Sequence, residues 1–197
     1  WPEPKKREAR TEARLLENNG LFVSSGAHDP KQANGYMQPP HYVKAEWLAF
    51  PDKDPELPED GVAAGGRAYA TSKLCNVLCA YELDRRLKAS GLSTTEQPIT
   101  VNAFDPGLMA GTGLGRYERG PVRFMWYYLM PWGSRLMGFG RTTKQSGADL
   151  AYLVSAPEMV SMSGKFFDGR EVITSSKDSY DLNKAADLWQ TSIELSN

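Results

Sequence analysis

Tyr69 and Lys73 are the two residues whose types and spacing most directly suggest chemistry. They lie four positions apart in the run Arg-Ala-Tyr-Ala-Thr-Ser-Lys, a spacing that puts both side chains on one face of a helix. A free phenol titrates near pH ~10 and exchanges protons poorly at neutral pH. A neighbouring ammonium group stabilises the phenolate, so the pair can act as an acid/base unit. A solvated pair without a catalytic role is the alternative that this spacing alone leaves open.

Two short apolar segments that end in polar residues flank this helix in the sequence. The first covers 20–26 and ends in Ser24, Ser25 and a glycine. The second covers 99–104 and stops before Pro106, which has no N–H to donate to a sheet. Such runs are typical of buried parallel strands. Ligands of α/β proteins bind at the carboxyl ends of these strands, so the sequence predicts a site there.

The order of these elements resembles the short-chain dehydrogenase/reductase family: a strand ending in serine, a helix with Tyr69 and Lys73, and a strand ending in Pro-Gly. The segment 163–169 resembles the last strand of that family. The branch that contains protochlorophyllide reductases and retinol dehydrogenase-like enzymes is the most similar. That similarity is carried by 22–30, 72–76 and the spacing from Pro106-Gly107 to Thr112.

The resemblance implies hydride transfer between NAD(P) and a carbonyl/alcohol, or a conjugated double bond, of an apolar small molecule. Tyr69 would give or take the proton, Lys73 would stabilise its phenolate and bind the nicotinamide ribose, and Ser25 would hydrogen-bond the substrate oxygen. The nicotinamide end of the cofactor would meet Pro106, Gly107 and Thr112. NADP is favoured over NAD by the resemblance alone.

Elementary chemistry supports two of these roles. A reduced carbonyl develops negative charge on its oxygen, and two hydroxyl donors aimed at it stabilise the transition state more than the ground state. Ser25 and Tyr69 are suitable donors. Ser24 is the structural alternative, because a hydroxyl at the end of a strand commonly bonds the backbone.

The fold class predicted from the sequence is α/β. We expect 1–197 to be a single partial domain, the C-terminal part of a Rossmann-type doubly wound parallel sheet whose N-terminal dinucleotide-binding half is absent. Within it, 27–66 forms a long insertion and 108–141 a substrate-lid region. The family's glycine-rich turn has no match, since no glycine cluster has a strand before it and a helix after it. The clusters are Gly61, Gly65-Gly66 and 111–115.

Three helices are predicted in addition to these strands. The first covers 67–89, with Leu74, Leu78 and Tyr81 at helical spacing and facing the sheet. Amphipathic patterns predict the other two over 142–155 and 181–195.

The segment 122–140 is rich in aromatic and methionine residues. In the family this position forms the substrate lid, and such a surface suits an apolar substrate. Peripheral contact with a membrane is a second interpretation, supported by tryptophan and tyrosine. Packing into the core is a third, and the sequence leaves all three open.

Composition excludes several classes of function. The formal net charge is −1, which gives no electrostatic case for binding nucleic acid or an anionic membrane. Only Cys75 and Cys79, one helical turn apart, and two histidines are present, so neither a disulfide nor a metal site is predicted. No apolar run has the length of a membrane span. We expect a cytoplasmic protein or a peripheral membrane protein, and homo-oligomers are compatible with this composition.

Two functions of different classes stay open at this stage. The first is an NAD(P)-dependent oxidoreductase of which this chain is the catalytic part. The second is a truncated remnant or interaction protein that lacks a complete cofactor site. A sugar-nucleotide epimerase of the same superfamily is disfavoured, because such chains usually continue into a larger C-terminal domain.

Overall fold

The computed structural model describes residues 18–32, 38–57, 60–111, 113, 119–136 and 140–197. Within them, one four-stranded sheet has the order β1-β2-β3-β4. The first three strands are parallel, and β4 pairs antiparallel with β3. Their bounds are Asn19–Val23 for β1, Thr100–Asp105 for β2, Phe166–Asp168 for β3 and Glu171–Ile173 for β4. The predicted α/β fold is confirmed, whereas β4 was not predicted.

Three of the described helices correspond to the predicted ones over 67–89, 142–155 and 181–195, with shifted ends, and the others were not predicted. Thr142 caps α5 with its side chain, as its position before an amphipathic run suggests. Asp181 does the same for α6. The bounds are Ala45–Ala49 for α1, Gly61–Ala89 for α2, Gly120–Phe124 for α3, Met130–Leu136 for α4, Thr143–Ser155 for α5 and Leu182–Ser196 for α6.

Helix α2 differs from its prediction in two respects. It begins at Gly61 rather than at residue 67, because the Asp60 side chain accepts the Val62 N–H and caps it earlier. Leu74 and Leu78 do not face the sheet as predicted. They pack with Tyr42 and Leu188 against α1 and α6, and the neighbouring face of α2 contacts the sheet through Val77, Ala80 and Tyr81. The helix is therefore covered on two sides, which a single apolar stripe cannot indicate.

The segment that precedes α2 packs against the C-terminal helix. The Tyr42 hydroxyl donates to the Asp187 carboxylate at 2.8 Å, and the Ala45 N–H donates to the same oxygen at 2.7 Å. The His41 N–H donates to the Thr71 hydroxyl at 2.9 Å. These contacts join the segment to α2 and α6.

Residues 120–136 form one helical unit, which we call the apolar helix. A π-helical segment, Met125–Leu129, joins α3 to α4. Tyr128, Trp132 and Leu136 are 70%, 71% and 74% exposed, so the core-packing interpretation of this segment is wrong for these residues. Across the described part of the chain, no helix combines the length and apolar character needed to cross a membrane.

Candidate active site

The two serines at the end of β1 have different environments. Ser24 is buried, continues the sheet through its N–H to the Phe104 carbonyl at 2.7 Å, and donates its hydroxyl to the Lys73 carbonyl at 2.8 Å. Its hydroxyl is thus used by the backbone, as expected from the sequence. Ser25 is half-buried and caps the short turn Gly26–His28, where its hydroxyl accepts the Ala27 N–H at 3.3 Å. A hydroxyl that accepts here can still donate to a ligand.

Lys73 brings helix α2 across the end of β1. Its Nζ donates to the Val23 carbonyl at 3.4 Å and lies 5.5 Å from the centre of the Tyr69 ring. Asn76, one turn further along the helix, donates to the same carbonyl at 2.8 Å. Lys73, one member of the predicted acid/base pair, therefore lies beside the predicted serine loop at the carboxyl end of β1, although 50 residues separate it from Val23. The approach of the Tyr69 hydroxyl to Ser25 stays a prediction.

The Pro106-Gly107 turn lies at the end of the neighbouring strand β2. Gly107 has φ +74°, a conformation that glycine adopts without strain. Its N–H donates to the Asp105 carboxylate at 2.8 Å, and the Ser146 hydroxyl donates to the Pro106 carbonyl at 2.6 Å. The turn is therefore fixed from β2 and from α5. Thr112, predicted to contact the cofactor, lies outside the described residues.

Arg141 ties this turn to the end of β3. Its guanidinium donates to the Asp168 carboxylate at 2.6 Å and to the Asp105 carbonyl at 3.3 Å. It lies across two glycines: a Cβ added to Gly107 would be 3.0 Å from its Cδ, and one added to Gly169 would be 2.9 Å from a terminal nitrogen. Glycine is favoured at both positions, because φ is +74° at Gly107 and +62° at Gly169 and a side chain there would also displace the arginine.

His28 connects the serine loop to the segment after β4. The Ser176 N–H donates to Nε2 at 3.0 Å, so Nε2 carries a lone pair, and the proton sits on Nδ1, which donates to the Ser25 carbonyl at 2.7 Å. Burial lowers the pKa of His28, against the opposing effects of the Ser25 carbonyl and of Asp29 and Asp105. The ring is therefore a neutral structural link beneath Ser25.

A cleft of about 380 Å³ opens beside His28, Gly107 and Arg141, at the carboxyl ends of the three parallel strands. Its charged groups are three carboxylates and one guanidinium: Asp29, Asp105, Asp168 and Arg141. Because the Arg141 charge is shared with Asp168, the wall of the cleft has a net negative character.

Both cysteines are free thiols on α2, beside the cluster that joins it to α6. Burial raises the pKa of Cys75 to about 12 and also raises that of Cys79. Neither is activated as a nucleophile. Among the residues that the structure describes, no group of three or more metal-ligating side chains is present.

Several residues that shape the site were missed in the sequence. Asn76 could have been found, because it follows Lys73 by three positions and shares its helix face. His28 and Arg141 had no comparable signal. Their partners Ser176 and Asp168 are 148 and 27 residues away, and no local pattern joins them.

Comparison with known proteins gives a consistent set of relatives, although no protein-family model matches the chain. Short-chain dehydrogenase TIC 32 B, chloroplastic, of Brassica napus is 28% identical over 192 residues, which cover 96% of this chain and 48% of that protein. Retinol dehydrogenase 13 of Homo sapiens is 33% identical over 128 residues, 65% of this chain and 36% of that protein.

A solved structure supports the fold independently. An uncharacterised protein from Mycobacterium paratuberculosis superimposes with a TM-score of 0.50 at 22% identity, covering 90% of this chain and 50% of that one. The chain therefore spans about half the length of the TIC 32 relatives and of this solved structure.

Proposed function

Because the chain belongs to the short-chain dehydrogenase/reductase family, we propose that it is the catalytic part of an NAD(P)-dependent oxidoreductase. The reaction would transfer hydride to or from a carbonyl/alcohol or a conjugated double bond of an apolar substrate. One observation carries the proposal: the Ser24 hydroxyl donates to the Lys73 carbonyl at 2.8 Å. This bond brings the serine loop and the helix that carries Tyr69 to the end of one strand. Acid/base chemistry at a substrate oxygen needs that juxtaposition.

The residues present suit the nicotinamide end of a dinucleotide. Lys73 has three donors, and only one is directed at the Val23 carbonyl, so two can reach ribose hydroxyls. The Pro106-Gly107 turn lies on the adjacent strand and is held in place by Arg141 and Ser146. For the pyrophosphate of the cofactor, this sequence shows no binding turn, because it has no glycine-rich turn between a strand and a helix.

The bound cofactor supplies or accepts the hydride, and the side chains of this chain handle the proton. In the reducing direction, the Ser25 hydroxyl donates a hydrogen bond to the substrate oxygen as negative charge develops there. The Tyr69 phenol then gives its proton to that oxygen. The Lys73 ammonium, on the same face of α2, stabilises the phenolate that remains. In the oxidising direction each step runs in reverse.

The finer parts of the proposal concern cofactor and substrate. NADP is favoured by similarity to the family branch and not by a residue of this chain. An apolar substrate is suggested by the similarity to retinol dehydrogenase 13, whose name gives an apolar alcohol as its substrate. The two free thiols of α2 fit a reducing compartment such as the cytoplasm.

A chimera tests these roles: this chain replaces the matching part of the Brassica napus relative, which supplies a dinucleotide-binding half. Tyr69→Phe keeps the ring and removes the O–H, so kcat on an apolar aldehyde should fall on the order of 10²-fold or more, with cofactor affinity nearly unchanged. Lys73→Met should weaken both. Tyr152→Phe is the matched control, because it removes the O–H of a tyrosine on α5 that donates to the Glu158 carboxylate. It should leave kcat and cofactor affinity unchanged.

The second candidate is an interaction protein without catalysis. It is favoured by the lining of the cleft at the strand ends, which does not include Ser25, Tyr69 or Lys73. Titration of the 197-residue chain with NADPH, followed by cofactor fluorescence, should show weak binding or none under either candidate. If the chimera binds NADPH and Tyr69→Phe retains full turnover, the proton comes from elsewhere and the catalytic proposal fails.

A further inference from the structure

The apolar helix presents a continuous stripe of exposed side chains. Phe124 and Tyr128 form one row, with ring centres 5.0 Å apart, and Met125, Leu129, Trp132 and Leu136 form the adjacent row at helical spacing. Their exposed fractions run from 45% for Met125 to 74% for Leu136. At 1.5 Å per residue the stripe is about 18 Å long. Such a patch on a protein surface marks a contact site.

The charges along this segment are mostly positive. From 116 to 141 the sequence contains five arginines and one acidic residue, Glu118, which lies outside the described residues. Arg119 and Arg123 are exposed at the start of the helix, and Arg123 also lies 5.6 Å from the Tyr127 ring centre. Within the described ranges, neither arginine forms an ion pair. An apolar surface flanked by an excess of cations complements an anionic surface.

The stripe is separate from the cleft at the strand ends. None of its six residues lines that cleft, and a helix side is convex, whereas small molecules are held in concave sites. A second copy of the chain is the rival occupant. Parallel two-fold pairing of two such helices would bring Arg119 and Arg123 of both copies together, whereas antiparallel pairing would separate them, so the oligomeric state is measured as part of the test.

We propose that the apolar helix docks on an anionic lipid bilayer, lying in the plane of the interface. Phe124, Leu129 and Leu136 enter the boundary between head groups and acyl chains. Tyr128 and Trp132 sit at head-group level, where amphipathic rings are favoured. Arg119 and Arg123 contact the anionic head groups. This proposal does not depend on the oxidoreductase function, because it uses none of the residues given a role in catalysis.

Vesicle flotation with the whole chain tests the proposal. Phosphatidylcholine vesicles containing about one third phosphatidylglycerol should bind the protein at least about tenfold more tightly than pure phosphatidylcholine vesicles, and added salt should weaken the binding. The double variant Leu129→Gln/Trp132→Gln removes apolar contact, and Arg119→Gln/Arg123→Gln removes charge. Each should lower the affinity on the order of tenfold or more. Circular dichroism verifies that both remain folded.

The matched control carries the same type of change elsewhere. Leu182 and Leu195 of α6 are 60% and 55% exposed, and Leu182→Gln/Leu195→Gln should bind anionic vesicles like the unmodified chain. Three results would overturn the proposal: no binding to anionic vesicles, equal binding to both vesicle types, or equal loss in the control. Sedimentation velocity without lipid that shows a dimer dissociated by Leu129→Gln/Trp132→Gln would instead assign the stripe to a second copy.

Discussion

Replacing His28 should destabilise the protein by an amount that its two hydrogen bonds allow us to estimate. The ring is 3% exposed and its centre lies 4.5 Å from that of Phe166. His28→Ala leaves the Ser176 N–H without its partner and removes one of the two hydrogen bonds that the Ser25 carbonyl accepts, since the N–H of residue 28 still donates to that carbonyl at 3.1 Å. At about 1–3 kcal/mol for the buried unpaired N–H and about 0.5–1.5 kcal/mol for the lost bond, the free energy of unfolding should fall by about 1.5–4.5 kcal/mol.

Two further substitutions divide that loss between the two bonds. In His28→Asn the amide N–H can replace Nδ1 and keep the bond to the Ser25 carbonyl. In His28→Gln the amide oxygen can replace Nε2 and keep the bond from the Ser176 N–H. His28→Gln should lose less than His28→Asn, because it keeps the Ser176 N–H paired, and both should lose less than His28→Ala. Urea unfolding followed by circular dichroism at about pH 8 measures all three.

The same residue predicts how stability depends on pH. Burial lowers the folded-state pKa of His28 below its ordinary value of 6.5, so below that pH the unfolded chain binds more protons than the folded one. Stability is therefore full above about pH 6.5 and falls as the pH drops towards the folded-state pKa. His28→Asn should remove this part of the pH dependence.

His41 provides the control, because it is the only other histidine of the chain. Its Nε2 lies 3.6 Å from the Asp54 carboxylate, and no hydrogen-bond partner for that nitrogen is found among the described residues. His41→Asn should cost little at about pH 8. The reasoning on His28 is refuted if His28→Ala costs less than about 1 kcal/mol there, or if His28→Asn retains the original pH slope.

Two backbone features give the remaining predictions. Gly164 and Gly91 have nearly equal φ of +70° and +71°, but a Cβ at Gly164 would lie 2.7 Å from an Asp84 oxygen while one at Gly91 meets nothing within 4 Å. Gly91→Ala should therefore cost about 1–2 kcal/mol, and thermal unfolding should show a clearly larger loss for Gly164→Ala. Thr142→Ala should cost about 1 kcal/mol, because the Thr142 hydroxyl accepts the Gln145 N–H at 3.1 Å. Thr142→Ser should retain most of it, and equal loss in both variants would contradict the capping argument.

Local patterns predicted the parts of the fold that local physics determines. The strand at 99–104 was visible because its residues are apolar and Pro106 stops it, and the structure places β2 at Thr100–Asp105. The helix over 142–155 was predicted from its amphipathic pattern, and the structure places α5 at Thr143–Ser155. The antiparallel strand β4 also had a local signal that was overlooked, since Asp168-Gly169 is a turn dipeptide and Gly169 has φ +62°.

Other features depend on contacts between distant segments, and sequence patterns could not supply them. Leu74 and Leu78 pack towards α6 instead of the sheet, and α6 lies more than 90 residues later in the chain. The ion pair of Arg141 with Asp168 depends on how the end of the lid region meets β3. In the candidate site, the spacing of Tyr69 and Lys73 and the family resemblance of Ser25 made these residues candidates, and their catalytic roles stay predictions. His28 and Arg141, whose partners are distant in the chain, had no local signal.

Asn76 illustrates how such a supporting residue can matter for chemistry. The Val23 carbonyl accepts from Asn76 at 2.8 Å and from Lys73 at 3.4 Å, and the second distance is at the long end of hydrogen bonding. If Lys73 turned towards a ribose hydroxyl, the carbonyl would still have its partner, so the movement would leave no unpaired backbone group. The amide thus makes the ammonium available, and the geometry at the end of β1 is suited to a lysine that binds a ligand as well as to one that supports the fold.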